Sequence, residues 1–344
     1  MFSIVIPAFN QLDCCRQCVQ SIQLNVLGPY KLILVDNGST DGVGEYFDSV
    51  PGATVVHTGK NLGFAAGTNR GLKHAEGHVL LLNSDTIIPA GALDRLVSVL
   101  DRDPRIGLLG PRTNCVSGPQ QIEGLQFTTT EAIDAYANAL AREKAGQMRD
   151  VARLVGFCML IRDTVFQQLG PLDESFGIGN FEDDDYCIRA LRKGHRLCIA
   201  EDCFIFHYGS RTFLGMGLVE DAWRELIGRN EQIFMDKWRD LRLEERDDAY
   251  RESAQFHHEA ERAAQRRDYK LAIEKLLQAV QLAPGWAANY ALLGEVLIDL
   301  GDPTRARTQF ERALNLDADC DRAKLGLERL KNKPQMHTDG DDRR

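Results

Sequence analysis

Four acids stand in a row at Glu182-Asp183-Asp184-Asp185 and open a segment with helical spacing that runs to Lys193. In the first turn of a helix each carboxylate complements the macrodipole by about 0.3–1 kcal/mol. Four neighbours also repel one another, and a functional site is one reason to keep them together. Other acids close apolar runs. Asp36 follows Leu32–Val35, where it can either accept a hydrogen bond from a nucleoside or serve only the turn Asp36-Asn37-Gly38-Ser39. Asn83-Ser84-Asp85 follows Val79–Leu82. Asp85 could hold a divalent cation shared with a diphosphate, which would neutralise charge on a departing nucleotide; the triplet could equally be a polar exit from a strand. His207 ends Phe204-Ile205-Phe206, a position where a single histidine is more often structural than a ligand. The loop from Asn61 carries Gly63, Gly67 and Gly71, and its spacing does not fit G-x-G-x-x-G. Such glycines let a backbone approach a ligand, the N–H groups of a following helix favour anions, and Arg70 could add a charge-assisted contact to phosphate.

Alternating strands and helices must position these residues. Phe2–Ile6 reads as a strand that stops at Pro7. Leu12, Cys15, Val19, Ile22 and Val26 predict a helix over 11–26. Further strands are expected at Leu32–Val35, Thr54–Val56, Val79–Leu82, Ile106–Leu109, Leu154–Ile161, Leu197–Ala200 and Phe204–His207. Helices are expected after Gly67 to about Ala75, around Leu93–Leu100, and over Ala132–Ala145, Glu182–Lys193 and Val219–Trp238. Continuous apolar strands separated by helices predict an α/β domain with a parallel sheet covered on both faces. Beyond it the pattern repeats. Asp268, Ala272, Leu276, Ala279 and Leu282 recur 34 residues later as Asp302, Ala306, Phe310, Ala313 and Leu316. That is the tetratricopeptide period, with Tyr290, Leu293 and Gly294 in the first helix of the second unit and Pro284 closing the first. A plain antiparallel bundle is the alternative, and the offset held at several positions argues against it. The expected division is 1–240 for the α/β domain, 241–252 for a charged linker, 253–333 for two repeats and a capping helix near Arg322–Leu330, and 334–344 for a disordered tail.

The chain has 344 residues, 44% hydrophobic and 26% charged, which suits two globular domains. A net charge of −9 argues against a nucleic-acid-binding surface. The nine cysteines are scattered; Cys14, Cys15 and Cys18 lack partner ligands at a zinc spacing and read as small buried hydrophobes. The N-terminus has no basic region followed by an apolar stretch, and no run is long enough to span a bilayer, so a cytoplasmic protein is expected.

Taken in order, six motifs resemble the family-2 glycosyltransferases of the GT-A fold, and among them the bacterial rhamnosyltransferase-like branch. They are Ile4–Asn10, Val35–Asp41, Asn61–Gly71, Leu82-Asn83-Ser84-Asp85, Gly156–Ile161 with Phe181–Arg189, and His207-Tyr208-Gly209-Ser210. The resemblance covers roughly residues 1–238 and implies a Rossmann-like mixed sheet flanked by helices. It implies a nucleotide-sugar donor, uridine- or thymidine-diphosphate-linked. Pro7, Ala8 and Asp36 would hold the nucleoside, with Asp36 accepting from a pyrimidine N3–H. Asn61, Gly63 and Arg70 would border the nucleotide pocket, and Asn83 and Ser84 would complete it. Asp85 and His207 would bind a divalent metal, Mn2+ or Mg2+. Asp183 would be the general base of an inverting transfer, with Glu182 and Asp185 orienting the acceptor or the base. One departure is Asn83, where the family's metal motif usually has Asp. The Gln-x-x-Arg-Trp pattern of processive synthases is missing, which argues for transfer of a single sugar. The acceptor would be a hydroxyl of a glycan, a lipid-linked saccharide or a protein, and the repeats would contact a protein partner or a second copy of the chain. A different reading is an interaction protein built on the repeats with an inactive nucleotide-sugar domain; the intact set Asp36, Asp85, Asp183 and His207 argues against it.

Overall fold

The computed structural model describes residues 2–209, 220–239, 248–318 and 320–332. The chain divides into two compact units, residues 1–241 and 242–344. The expected tail at 334–344 and Ser210 lie outside the described residues. No helix among the described residues is long and apolar enough to cross a membrane.

The first unit is built on one sheet in the order β3-β2-β1-β4-β8-β6-β9-β7. At its centre β1 (Phe2–Ala8) runs parallel to β2 (Tyr30–Asp36) on one side and to β4 (His78–Leu82) on the other. β3 (Thr54–His57) extends the sheet beyond β2, also parallel. Both faces are covered, as the unbroken apolar runs require. Ile4, Ile6, Leu34, Leu80 and Leu82 point into a core shared with α1 (Leu12–Asn25), α2 (Val43–Asp48) and α4 (Ala92–Arg102). Val5, Ile33, Val35 and Leu81 point the other way, against α3 (Phe64–Leu72), α6 (Asp163–Leu169) and α7 (Glu182–Arg192). Helix α1 follows its sequence spacing closely: Cys15, Cys18, Val19 and Ile22 form the buried stripe.

The sheet is mixed where the alternation of apolar runs suggested a parallel one. β8 (Cys158–Ile161) lies antiparallel to both β4 and β6 (Ile106–Arg112). β9 (Arg196–Phe204) is parallel to β6, and β7 (Met148–Val151) closes the far edge antiparallel to β9. Strand direction is set by the path of the connecting chain, which hydrophobic pattern does not record. A separate two-stranded ribbon pairs β5 (Thr86–Ile87) with β10 (Phe206–His207). α5 (Thr130–Glu143) covers this region, with Ile133, Ala137 and Leu140 packed among Ile87, Phe204 and Phe206.

The second unit is helical: Asp248–Gln265, Tyr269–Leu282, Ala287–Asp299, Pro303–Leu316 and Asp321–Asn332. The first of these begins inside the expected linker, so residues 248–252 are helix, and 241–247 lie outside the described residues. The 34-residue offset reappears as structure. Asp268 and Asp302 each cap a helix, accepting from the backbone of Leu271 and Arg305. Ala272, Leu276 and Ala279 are buried, as are Ala306, Phe310 and Ala313. Gly294 and Gly326 lie against the Phe310 ring, and a Cβ on either would come within 2.6 Å of it.

Candidate active site

Three parallel strands end at one edge of the sheet. The register sets Pro7 beside Val35 and Ala8 beside Asp36. β1 has β2 on one side and β4 on the other, so chain order reverses here, the place where open α/β sheets bind ligands. Asn83, Ser84 and Asp85 follow β4 directly.

Asp36 is 7% exposed. One carboxylate oxygen accepts the Ser39 N–H at 2.8 Å, and the other lies 3.1 Å from His57 Nδ1. Burial would raise its pKa, but the Ser39 N–H and the His57 ring outweigh burial and hold it below the usual carboxylate value. Asn37 braces the next loop. Its side-chain amide donates to Asn61 Oδ1 at 3.2 Å and to the Gly63 carbonyl at 3.0 Å, while its oxygen accepts the Leu62 N–H at 3.1 Å. Asn61 is therefore engaged in shaping the loop, and it also accepts the Gly63 N–H at 2.9 Å.

The loop glycines serve the protein's own packing. A Cβ on Gly63 would sit 2.0 Å from the Gly177 carbonyl oxygen, one on Gly67 would meet Asn37 at 2.8 Å, and one on Gly71 would meet Val5 and Val35 at 2.7 Å. Arg70 lies exposed in the last turn of α3, whose N-terminal cap is Gly63. A helix rises about 1.5 Å per residue, so Arg70 sits about 10 Å along the axis from Gly63.

Asp85 and His207 are brought together although 122 residues separate them. β5 and β10 pair His207 with Thr86, which sets the imidazole Nε2 3.1 Å from Asp85 Oδ1. His207 is fixed on every side. Its backbone exchanges hydrogen bonds with the Asn114 side chain, its ring stacks on Phe157 at 5.0 Å, and Nδ1 lies 2.6 Å from the Cys115 carbonyl oxygen. A carbonyl can only accept, so Nδ1 carries a proton and Nε2 is the atom turned to Asp85. A histidine oriented by a backbone carbonyl, beside a carboxylate oxygen, is a donor set that fits a divalent cation. Among the described residues no group of three or more His, Cys, Asp or Glu side chains stands at metal-binding spacing. This pair would supply two ligands, and diphosphate and water would supply the rest. Asn83 Nδ2 lies 3.5 Å from the same imidazole nitrogen, and Ser84 is buried behind the loop.

The antiparallel course of β8 brings its leading residues to this edge. The Phe157 carbonyl accepts the Asn83 N–H at 2.8 Å, and the preceding Gly156 N–H donates to Asp183 Oδ2 at 2.8 Å. Asp183, Gly156, Phe157, His207 and Asp85 are thus linked by direct contacts. The other Asp183 oxygen accepts the Asp184 N–H at 2.9 Å. Each oxygen keeps a further lone pair for an incoming hydroxyl.

The other three acids have different places. Glu182 is 6% exposed, and its Oε2 has no hydrogen-bond partner. Burial, then the charges of Asp183, Asp184 and Asp185, push its pKa well above the usual value. Asp184 pairs with Arg153. Asp185 is engaged by Arg189 at 2.9 Å, Lys237 at 2.6 Å and Trp238 Nε1 at 3.0 Å, an ion cluster that joins α7 to the helix Glu220–Lys237.

Sequence reasoning passed over three residues that build this site: Asn37, His57 and Asn230. Asn230, fully buried, donates at 2.7 Å to the carbonyls of Phe176 and Gly179 and so fastens the loop that leads into the acids. Asn37 stood in a turn that was read for Asp36. The others carried no local signal, because their partners lie 21 to 54 residues away.

Residues 3–170 match the model of the family described as Glycosyl transferase family 2. Over 182 residues the chain is 28% identical to an N-acetylglucosaminyl-diphospho-decaprenol L-rhamnosyltransferase of Mycobacterium tuberculosis, covering 45% of this chain and 59% of that one. It is 24% identical over 218 residues to Glycosyltransferase AglE of Haloferax volcanii, covering 60% and 66%. Each match spans less than two thirds of the relative's length. Among solved structures, a mannosyltransferase from Pyrobaculum calidifontis in complex with GDP-Man and Mn2+ superposes with a TM-score of 0.50 at 19% identity, over 94% of this chain and 85% of that one. That likeness shows a GT-A-like fold. With the crevice at the ends of β1, β2 and β4, these matches make the chain similar to glycosyl transferase family 2 over residues 3–170.

Proposed function

We propose that the chain is an inverting glycosyltransferase that moves one sugar from a uridine- or thymidine-diphosphate donor to a hydroxyl of a glycan, a lipid-linked saccharide or a protein. The observation that carries this reading is the run of contacts from Asp85 through His207, Phe157 and Gly156 to Asp183. A cation site and a base on one sheet edge are what a single displacement at an anomeric carbon needs. Pro7, Ala8 and Asp36 hold the nucleoside, with Asp36 accepting from the base. Asn61 and Gly63 shape the wall of the pocket, and Asn83 and Ser84 complete the turn that presents Asp85. Asp85 and His207 hold a divalent metal, Mn2+ or Mg2+, which when bound supplies charge neutralisation for the departing diphosphate. Asp183 takes the acceptor proton as the hydroxyl oxygen attacks the anomeric carbon and the bond to the diphosphate oxygen breaks.

The helical unit fits two tetratricopeptide-like repeats with a capping helix. The matching caps at Asp268 and Asp302 support this. In this reading the repeats present a protein surface to an acceptor, a partner or a second copy.

A panel of nucleotide sugars, assayed for transfer with Mn2+ on wild type and Asp183→Asn, tests the proposal. One donor should be consumed, with inverted product stereochemistry, and Asp183→Asn should lower turnover by about 10²–10⁴-fold, the usual contribution of a general base. Donor affinity should change little. Near-normal turnover in Asp183→Asn would overturn the assignment of the base.

A further inference from the structure

His57 ends β3 with its ring between two carboxylates. Nδ1 lies 3.1 Å from Asp36 Oδ2, and Nε2 lies 3.0 Å from Asp48 Oδ1. Asp36 closes the neighbouring strand β2, and Asp48 is the last residue of α2. Both ring nitrogens face acceptors, and a neutral imidazole has only one N–H to give. Satisfying both carboxylates requires the doubly protonated ring. The surrounding backbone is fitted to this arrangement. A Cβ on Gly44 of α2 would stand 2.9 Å from Asp36 Oδ2 and 3.5 Å from His57 Cε1, so only glycine lets α2 pass this close. The elements packed on β3 are β2 and α2, and the charged groups they turn to the ring are Asp36 and Asp48. Glu45, the other acid of α2, points toward Gly42.

We propose that His57 is a positioning residue of the donor site, bridged to Asp48 so that it holds the Asp36 carboxylate in one orientation to accept the imide N–H of a pyrimidine base. This rests on the reading of Asp36 as the nucleoside carboxylate. His57 does not touch the nucleotide; it acts through Asp36. Without the ring, Asp36 retains the Ser39 N–H on one oxygen, and the other is free to rotate or to bind water. The ring proton is held by the hydrogen bonds that His57 donates to Asp36 and Asp48, which raise the His57 pKa above the ordinary histidine value. The sign follows. The bridge is complete below that raised value and is lost as pH climbs through it, so donor affinity falls toward alkaline pH. Removing Asp48 takes away one of the two partners and moves the fall to lower pH.

Calorimetric titration of UDP and dTDP with Mn2+ into the full chain tests this, with each variant compared to wild type at the same pH between 6 and 9 so that titration of the ligand cancels. His57→Ala should weaken binding about tenfold at pH 6.5, the scale of one hydrogen bond to a charged group. His57→Gln keeps an N–H donor without the charge. It should recover part of the loss and show no alkaline fall of its own. Asp48→Asn should bind as wild type does at pH 6 and lose affinity at a lower pH. With transfer assayed, the His57 variants should move KM and leave kcat nearly unchanged. Wild type that binds with His57→Ala within twofold of it would overturn the proposal, as would a wild-type affinity flat from pH 6 to 9. Failure of wild type to bind either nucleotide would instead remove the donor-site reading itself, and this inference with it.

Discussion

Charge at the acidic helix start is distributed unevenly, and each residue's surroundings decide its state. Asp184 and Asp185 meet cations, Asp183 meets two backbone N–H groups, and Glu182 leaves its buried Oε2 without a hydrogen-bond partner. Glu182 therefore holds a proton more tightly in the fold than in the unfolded chain. Its folded pKa is raised, while the unfolded chain has an ordinary value near about 4.3. Between those two values the native state binds the extra proton, so stability falls as pH rises through that window. Glu182→Gln cannot titrate and removes this dependence. Melting temperatures of the two proteins should diverge in favour of the variant as pH rises above the unfolded value of about 4.3. A difference constant over that range would mean that Glu182 is charged in the fold. None of this was legible in the run Glu-Asp-Asp-Asp, which looks uniform. The sequence located the acids, and burial separated their roles.

The loop from Gly177 to Phe181 links the two halves of the site. Asn180 and Phe181 both have φ of 75°, a left-handed conformation that non-glycine residues seldom adopt in succession. The Ile178 carbonyl accepts the Phe64 N–H at 3.0 Å, and the Gly177 carbonyl rests on Gly63. The same loop thus braces the glycine-rich loop at Gly63 and leads into α7. Asn230 holds it from the helix Glu220–Lys237, and Phe234 of that helix packs on Phe181 with ring centroids 5.4 Å apart. Asn230→Ala leaves two buried carbonyls without donors, which should cost roughly 2 kcal/mol or more. Denaturant unfolding checks this, with Asn180→Gly as a control that relieves backbone strain and should be neutral or mildly stabilising. A loss under about 0.5 kcal/mol, the range of an uneventful surface change, would show that the loop holds itself. The longer helices and the buried strands of this unit were legible because their apolar spacing is local. β7, with three exposed residues in Met148–Val151, and the two-residue strand β5 were not. Their existence depends on partners across the sheet.

On the scale of the whole chain, the sequence carried the order of the motifs, and the fold explains why that order suffices. β1, β2 and β4 end together, β8 returns beside β4, and the β5–β10 ribbon delivers His207. Asp85, Asp183 and His207 therefore meet along one edge, with Asp36 two strands away on the same side. The 34-residue period was legible at a distance because each repeat uses the same cap and the same small buried residues. The central claim is that Asp85 and His207 together hold the cation that binds the donor diphosphate. Titration of UDP and dTDP with and without Mn2+, on wild type, Asp85→Ala and His207→Ala, measures it directly. Mn2+ should tighten nucleotide binding to wild type by tenfold or more, about 1.4 kcal/mol, and should do little for either variant. Equal binding with and without the metal in wild type, or undiminished enhancement by Mn2+ in both variants, would contradict the account.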